Sequence, residues 1–390
     1  MSDMQPQRTE GRFVTAIIGE GQGGTSFASC LAREFAVTQD HIISANLSSA
    51  DFKGSNFVSP NRQLLLDPKG FGSGKNRDYA KNVFIPKKDT VIDKFCEFTN
   101  DCNLIFVVFS AGGGTGSGLG PITTALLQQK LLEQHKQTLV YGIALLPDAS
   151  EGELSQDNAT KLLNEITKIV EGKIARFFLV DNASFGNMKK DIEKWDAINN
   201  MAAKFLRRYI VDNYIGSRGN LDQNDRFTAL NATGVHALAS YRVEEGNRIK
   251  IISPFVLPEG ANVRYQTAEV PNGQNDIRKQ IALQVGAIVN DDTFVGYYEK
   301  SEGEKESTAL ASEFDSPFPI VHFAGFSNLG KVIDRHSNWF TQMQMKSQAA
   351  SEIDREKAMS ADLLKVNSEI VSGARTLNTV SSEAILDILG

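Results

Sequence analysis

Glycine and hydroxyl residues are concentrated at one point of the chain, directly after an apolar run. Residues 110–120 read SAGGGTGSGLG and follow LIFVVF at 104–109. Glycine costs about 0.5–1 kcal/mol relative to alanine inside regular structure, so this cluster needs a reason. Successive glycines let backbone N–H groups converge on phosphate oxygens, and Thr115 and Ser117 add hydroxyls that suit phosphate or bound magnesium. The segment predicts a phosphate-binding loop, with a helix beginning near Leu119.

Two further glycine-rich segments follow predicted strands. GEGQGG at 19–24 has the spacing G-x-G-x-x-G, which by itself is weak evidence for a dinucleotide site. Such a site also uses an acidic residue at the end of the second strand, whereas this strand ends in Ala45-Asn46. The segment DPKGFGSGKNR at 67–77 fails the P-loop pattern, because Asn76 follows Gly74-Lys75 and the first glycine is missing. Three such loops at neighbouring strand ends favour a triphosphate over a dinucleotide.

Alternating apolar and amphipathic segments must position these loops. Strands are predicted at 13–19, 41–46, 104–109, 138–147 and 175–182, with helices between them, the first from about Thr25 and others at about 87–99 and up to about 171. This alternation predicts an α/β fold with a doubly wound parallel sheet, whose ligands bind at the carboxyl ends of the strands. A long helix is predicted at 190–216. Further strands at 236–244, 250–257, 294–300 and 318–326, with a helix near 275–289, predict a second α/β domain with a mixed sheet.

Composition narrows the class of protein. The chain has 390 residues, 41% hydrophobic and 23% charged, which is typical of a soluble globular protein. A net charge of −6 argues against nonspecific DNA binding, which depends on Lys and Arg. The sequence contains no run of 18 consecutive apolar residues, so we predict no membrane span. The three cysteines and five histidines have no metal-ligand spacing, and the odd cysteine number favours a reducing cytoplasm.

The motif GGGTGSG at 112–118 resembles the phosphate loop of the tubulin/FtsZ superfamily of GTPases, and the order of motifs extends the resemblance over roughly 13–330. The resemblance implies GTP or GDP with Mg²⁺. GQGGT, Asn46, GFGSGKNR, LPDASEGE and VDNAS then stand where the family binds phosphates, ribose and base. The implied nucleotide-binding residues are Gly21, Gln22, Gly23, Gly24, Thr25, Asn46, Gly72, Lys75, Arg77, Gly112, Gly113, Gly114, Thr115, Gly116, Ser117, Glu151, Asn182, Trp195 and Asn199.

A second motif supports the resemblance. GNLDQNDRF at 219–227 fits the family pattern N-x-D-x-x-D of the loop after the central helix. In the family this loop serves the nucleotide of the next subunit in a filament. The resemblance therefore implies that Asp222 and Asp225 act on water in the neighbouring site and that Asn220 helps to position the loop. Hydrolysis would then require head-to-tail assembly with other copies of the chain.

The implied domain organisation is a disordered lead (1–12), a GTP-binding domain (13–189), a central helix (190–216), an activation domain (217–330), C-terminal helices (331–372) and a tail (373–390). The residues 331–372 contain no Gly or Pro, and the tail lacks the proline common in the anchor peptide of FtsZ. The chain therefore looks more like the TubZ and PhuZ branch.

That branch implies a filament that segregates or positions plasmid or phage DNA in the cytoplasm of a bacterial host. The tail would engage a DNA-bound adaptor, with no direct contact to DNA or membrane. The alternatives are an FtsZ-type division GTPase, a dinucleotide-binding oxidoreductase and a structural homologue that does not hydrolyse nucleotide.

Overall fold

A computed structural model describes residues 13–52, 57–184, 191–211, 218–219, 223–244, 248–271, 276–289, 294–300 and 319–372. The predicted lead and tail lie outside these residues. The chain divides into two compact units, Met1–Phe340 and Thr341–Gly390. The first unit contains the sheet and the candidate site. The described part of the second unit is helical.

The first half of the chain alternates strands and helices, as predicted. Its elements are β1 (Thr15–Glu20), α1 (Gly21–Glu34), β2 (Ile42–Asn46), β3 (Gln63–Leu65), α2 (Arg77–Phe84), α3 (Lys88–Phe98), β4 (Leu104–Ser110), α4 (Thr115–Glu133), β5 (Leu139–Leu146), α5 (Glu153–Glu171) and β6 (Arg176–Asp181). All residues of β5 and β6 are buried. Such continuous apolar runs fit parallel strands covered on both faces.

The second half adds α6 (Asp191–Ile210), β7 (Arg218–Gly219), α7 (Gln223–Asn231), β8 (Gly234–Glu244), β9 (Arg248–Ile252), β10 (Tyr265–Pro271), α8 (Ile277–Gln284), β11 (Phe294–Lys300), β12 (Ile320–Phe326) and α9 (Gly330–Ser372). The strand β10 and the short strands β3 and β7 were not predicted from the sequence. The stretch 331–372, predicted as one or two helices, forms the single helix α9.

The described strands form one twelve-stranded sheet in the order β3-β2-β1-β4-β5-β6-β8-β12-β10-β11-β7, with β9 paired to β8. The strands from β3 to β6 are parallel, whereas β12 pairs antiparallel with β8 and β10. The strand order reverses at β1, where the chain crosses to β4. Ligands of open α/β sheets bind at such a switch point. The strand β6 also pairs with β8, so one sheet runs across the predicted domain boundary, which stays a prediction.

Both glycine-rich helices begin four residues earlier than predicted. The helix α1 begins at Gly21 rather than near Thr25, and α4 begins at Thr115 rather than near Leu119. The reason is close packing of helix on strand. A Cβ atom on Gly24 would lie 2.2 Å from the carbonyl oxygen of Val108. The glycines therefore form first helical turns that press against β1 and β4.

Candidate nucleotide-binding site

A cavity of about 600 Å³ lies at the carboxyl edge of the sheet. Fifteen of the nineteen predicted nucleotide-binding residues line it. Asn46 is the last residue of β2, and the other fourteen lie in segments that follow β1, β3, β4, β5 and β6. The fifteen residues are Gly21, Gln22, Gly23, Asn46, Gly72, Lys75, Gly112, Gly113, Gly114, Thr115, Gly116, Glu151, Asn182, Trp195 and Asn199. The sheet therefore gathers residues that are far apart in the sequence into one cavity.

Two of the four remaining residues lie behind the glycine loop and not in the cavity wall. The buried guanidinium of Arg77 donates to a Glu165 carboxylate oxygen at 2.8 Å and to the carbonyl oxygen of Ser117 at 2.8 Å. The Ser117 hydroxyl donates to the carbonyl oxygen of Gly113, one helical turn earlier. Both side chains stabilise the first turn of α4 through these hydrogen bonds, and their contact with phosphate stays a prediction.

Gly24 and Thr25 support the cavity from α1. Gly24 allows α1 to approach β4, and Thr25 forms a buried hydrogen bond with Ser44 of β2 at 2.9 Å between their hydroxyl oxygens. Their role in this structure is to hold α1 against the sheet.

Among the described residues, backbone groups and the side chain of Lys75 form the phosphate end of the cavity. The first turns of α1 and α4 both open into it, so two sets of unpaired N–H groups and two positive helix ends face the same space. Lys75 has a left-handed backbone with φ of 62° and donates to the Ser155 hydroxyl at 2.9 Å. This arrangement fits several adjacent anionic groups, as in a triphosphate.

Asn158 on α5 joins the loops, and sequence reasoning missed it. Its buried amide group lies within hydrogen-bonding distance of the carbonyl oxygens of Lys75 (2.9 Å), Gly113 (3.2 Å) and Gly112 (3.3 Å). One side chain therefore ties the loop before α2 to the loop before α4. A lone asparagine inside an amphipathic helix carries no signal for this role.

The same cavity also contains unpaired polar atoms. Asn182 Oδ1 and Trp195 Nε1 are buried and have no hydrogen-bond partner in the described part of the chain. Glu151 lies nearby, and burial raises the pKa of its carboxyl above the usual range. Buried polar atoms without partners are rare in folded proteins. Asn182 Oδ1 is an acceptor and Trp195 Nε1 is a donor, and together they fit the edge of a base that presents both a donor and an acceptor.

Glu20, at the end of β1, was not predicted as a site residue. It is 1% exposed, and burial raises the pKa of its carboxyl to about 8. Thr123 on α4 donates to Oε1 at 2.7 Å, while Oε2 has no partner among the described residues. Near neutral pH this acid is therefore largely protonated and adds little negative charge beside the predicted phosphates.

The predicted trans-acting residues lie apart from this cavity. Asp225 is in the first turn of α7 and is not among the residues lining the cavity. Asn220 and Asp222 lie outside the described residues.

The spacing argument missed one potential metal-binding group within the described ranges. His41 Nε2 lies 3.2 Å from an oxygen of Asp101, and Cys102 Sγ lies 3.8 Å from the other oxygen. His41 directly precedes β2, and Asp101 and Cys102 precede β4, so this group lies at the amino ends of the strands. It is not part of the nucleotide cavity.

Residues 13–188 match the family described as "Tubulin/FtsZ family, GTPase domain". Residues 13–188 therefore form a GTPase domain of the tubulin/FtsZ family. The match ends just after β6, and it contains all the predicted phosphate and ribose residues.

Comparisons with individual proteins agree with this domain. The tubulin-like protein CetZ of Pyrococcus furiosus is 27% identical over 247 residues, which are 62% of this chain and 64% of the relative. The chain thus matches less than two thirds of that relative's length. Phage c-st TubZ of Clostridium botulinum has a TM-score of 0.63 at 16% identity, covering 85% of this chain and 98% of TubZ.

A GTPγS-bound protofilament of CetZ2 from Haloferax volcanii has a TM-score of 0.59 at 20% identity, covering 86% and 99% of the two chains. At these identities the structural likeness shows a shared fold. Among the described helices, none has the length and apolar character needed to cross a membrane.

Proposed function

We propose that this protein binds and hydrolyses GTP and forms head-to-tail filaments in which each subunit completes the site of its neighbour. The observation that carries the proposal is the cavity itself, which gathers fifteen predicted nucleotide-binding residues at a switch point of the sheet. The acid predicted to act on water, Asp225, lies on α7 and does not line that cavity. In a head-to-tail filament, the neighbouring subunit would supply this acid.

Phosphoryl transfer to water depends mainly on positioning and charge stabilisation. The first turns of α1 and α4 would hold the phosphates, and Lys75 would neutralise charge on them. Mg²⁺, when bound, would supply positive charge that stabilises the transferring phosphoryl group. The Asp51 carboxylate and the Thr115 hydroxyl supply oxygen atoms of the type it prefers in the cavity wall. Protonated Glu20 would add no negative charge of its own beside the phosphates.

The unpaired polar atoms in the cavity support guanine as the base. Guanine presents the N1–H and N2–H donors and the O6 carbonyl acceptor on one edge. Asn182 Oδ1 would accept from the donors, and Trp195 Nε1–H would donate to an acceptor. Adenine has a lone pair at N1 where guanine has a hydrogen, so an Asn182 Oδ1 placed to accept from N1–H would face a second acceptor.

We further propose that the filaments segregate or position plasmid or phage DNA through an adaptor protein. The 43-residue helix α9 and the likeness to TubZ support this role. The related sequences named CetZ come from archaea and give no support to a bacterial host. An FtsZ-type role in division is the alternative.

Sedimentation with simultaneous phosphate release tests the GTPase and filament proposal. Wild-type protein and Asp222→Ala would receive GTP, ATP or a non-hydrolysable GTP analogue. We expect polymer with GTP and the analogue but not with ATP, and a turnover that rises steeply with protein concentration. Asp222→Ala should form polymer without turnover. Hydrolysis that is linear in protein concentration without polymer would overturn the shared site.

A further inference from the structure

The C-terminal end of α7 is held by buried side chains that belong to the central sheet. Tyr141 on β5 donates its hydroxyl to the carbonyl oxygen of Leu230, in the last turn of α7. His236 on β8 donates from Nε2 to the carbonyl oxygen of Ala232, directly after the helix, at 2.7 Å. Both side chains are fully buried. Carbonyls at a helix end have no partner inside the helix, so these donors satisfy them.

Arg176 on β6 provides the third and strongest contact with this helix end. Its guanidinium donates to the carbonyl oxygen of Asn231 from Nε at 3.0 Å and from a terminal nitrogen at 2.8 Å, and also to the Asn231 side chain. The residue is 7% exposed. A positive charge at a helix C-terminus is favourable because the helix dipole is negative there.

The same guanidinium also reaches α4. Its other terminal nitrogen donates to Gln128 Oε1 at 2.6 Å. Within the described residues Arg176 has no carboxylate at ion-pair distance, so this buried cation is stabilised by carbonyl and amide oxygens alone. Burying a cation is costly, and the hydrogen bonds to these oxygens offset part of that cost. Arg176 joins α7 to α4, the helix whose first turn lines the nucleotide cavity.

We propose that Tyr141, Arg176 and His236, the α7 clamp, are positioning residues that hold α7 so that Asp225 meets the nucleotide of the neighbouring subunit. This inference rests on the proposed function. Asp225 precedes Leu230 by five residues, or about 8 Å along the helix axis. A shift of the clamped end would therefore move the acid relative to the next subunit. The clamp touches neither the chain's own cavity nor the reacting atoms.

The sharpest test compares two tyrosine variants that lose the same chemical group. Tyr141→Phe removes the hydroxyl that donates to Leu230. Tyr241→Phe removes a hydroxyl that is also buried and also donates to a backbone carbonyl, that of Glu269, at 2.7 Å. The second hydrogen bond does not involve α7. The thermal midpoint of unfolding should therefore fall by similar amounts, while only Tyr141→Phe disturbs the clamp.

Three quantities would be measured for the wild type and both variants: the affinity for a fluorescent GTP derivative, the critical concentration for polymer, and phosphate release per polymerised subunit. For Tyr141→Phe we expect unchanged nucleotide affinity and a turnover that falls by about tenfold to 100-fold, because catalysis is sensitive to small misplacements. Tyr241→Phe should keep its turnover. Arg176→Lys, which keeps the charge but not the fork, should retain more turnover than Arg176→Met.

Equal turnover per polymerised subunit in both tyrosine variants would overturn the positioning role. Weaker binding of the GTP derivative by Tyr141→Phe would also overturn it, because the damage would then lie in the chain's own cavity. A wild-type chain that neither polymerises nor hydrolyses GTP would overturn the proposed function itself, and the role of the clamp with it.

Discussion

Replacing Glu20 by glutamine should change how stability depends on pH. The pKa of the Glu20 carboxyl is raised from an ordinary 4.5 to about 8, chiefly by burial, while the hydrogen bond from Thr123 opposes the rise. The folded state therefore holds its proton more tightly than the unfolded state does. The stability from this group is fully present below about pH 4.5 and is lost as pH rises toward 8. Each pH unit in that window costs about 1.4 kcal/mol, so the whole loss approaches about 5 kcal/mol.

Glu20→Gln keeps the shape and the acceptor for Thr123 but cannot ionise. Urea unfolding of nucleotide-free protein at several pH values gives the difference in unfolding free energy between variant and wild type. We expect this difference to grow in favour of the variant by about 4 kcal/mol from pH 5 to pH 8. All other titrating groups are shared, so they cancel in the difference.

A second variant checks the cause of the shift. Thr123→Val removes the hydroxyl that donates to the carboxylate and should extend the pH-dependent loss of stability above pH 8. A Glu20→Gln difference that stays flat within about 1 kcal/mol over this range would refute the reasoning, because it would mean that Glu20 is ionised in the folded protein at neutral pH.

Three further predictions concern the cavity and its rim. Trp195→Phe should weaken GTP binding about threefold to tenfold in a fluorescence titration, because an aromatic ring remains but the N–H donor is lost. Unchanged affinity would show that Trp195 Nε1 donates no hydrogen bond to the base. Asn158→Ala should lower the unfolding free energy by about 1–3 kcal/mol and also weaken nucleotide binding, whereas Asn164→Ala, an exposed asparagine on the same helix, should do neither. Phe71 lines the cavity and is 89% exposed, and we expect a neighbouring subunit to cover it in a filament. Phe71→Ser should therefore raise the critical concentration about tenfold, and an equal rise with Leu132→Ser would contradict this.

The sequence allowed the strand-and-loop order of the first half of the fold to be predicted, but not where its helices begin. Apolar runs such as 104–109 identify buried strands because both of their faces are covered. The glycines at 21–24 and Gly116 look like loop residues because glycine has a low helix propensity. Tertiary packing outweighs that propensity here, since a Cβ on Gly116 would lie 2.8 Å from the carbonyl oxygen of Glu20.

The cavity lining was predictable because its residues follow strand ends in recognisable motifs. The supporting residues were not. The hydrogen-bond partners of Asn158 lie 45 to 83 positions away in the sequence, and those of Arg176 lie 48 to 55 positions away. No local sequence pattern encodes such pairs. Arg77 illustrates the reverse case. It stands inside a phosphate-loop motif, yet its side chain pairs with Glu165.

Because β6 pairs with β8, we expect that the region matching the GTPase domain of the family does not fold independently of β8. A fragment ending after β6 would expose the backbone hydrogen-bonding edge that β8 occupies through the register of Arg176 with Gly234. It would also deprive Tyr141 and Arg176 of their acceptors on α7. An apolar strand with an open edge invites pairing with other copies. Gene fusions or truncations made at the end of the match should therefore yield aggregation-prone protein, and the shortest transferable unit of this fold includes β8.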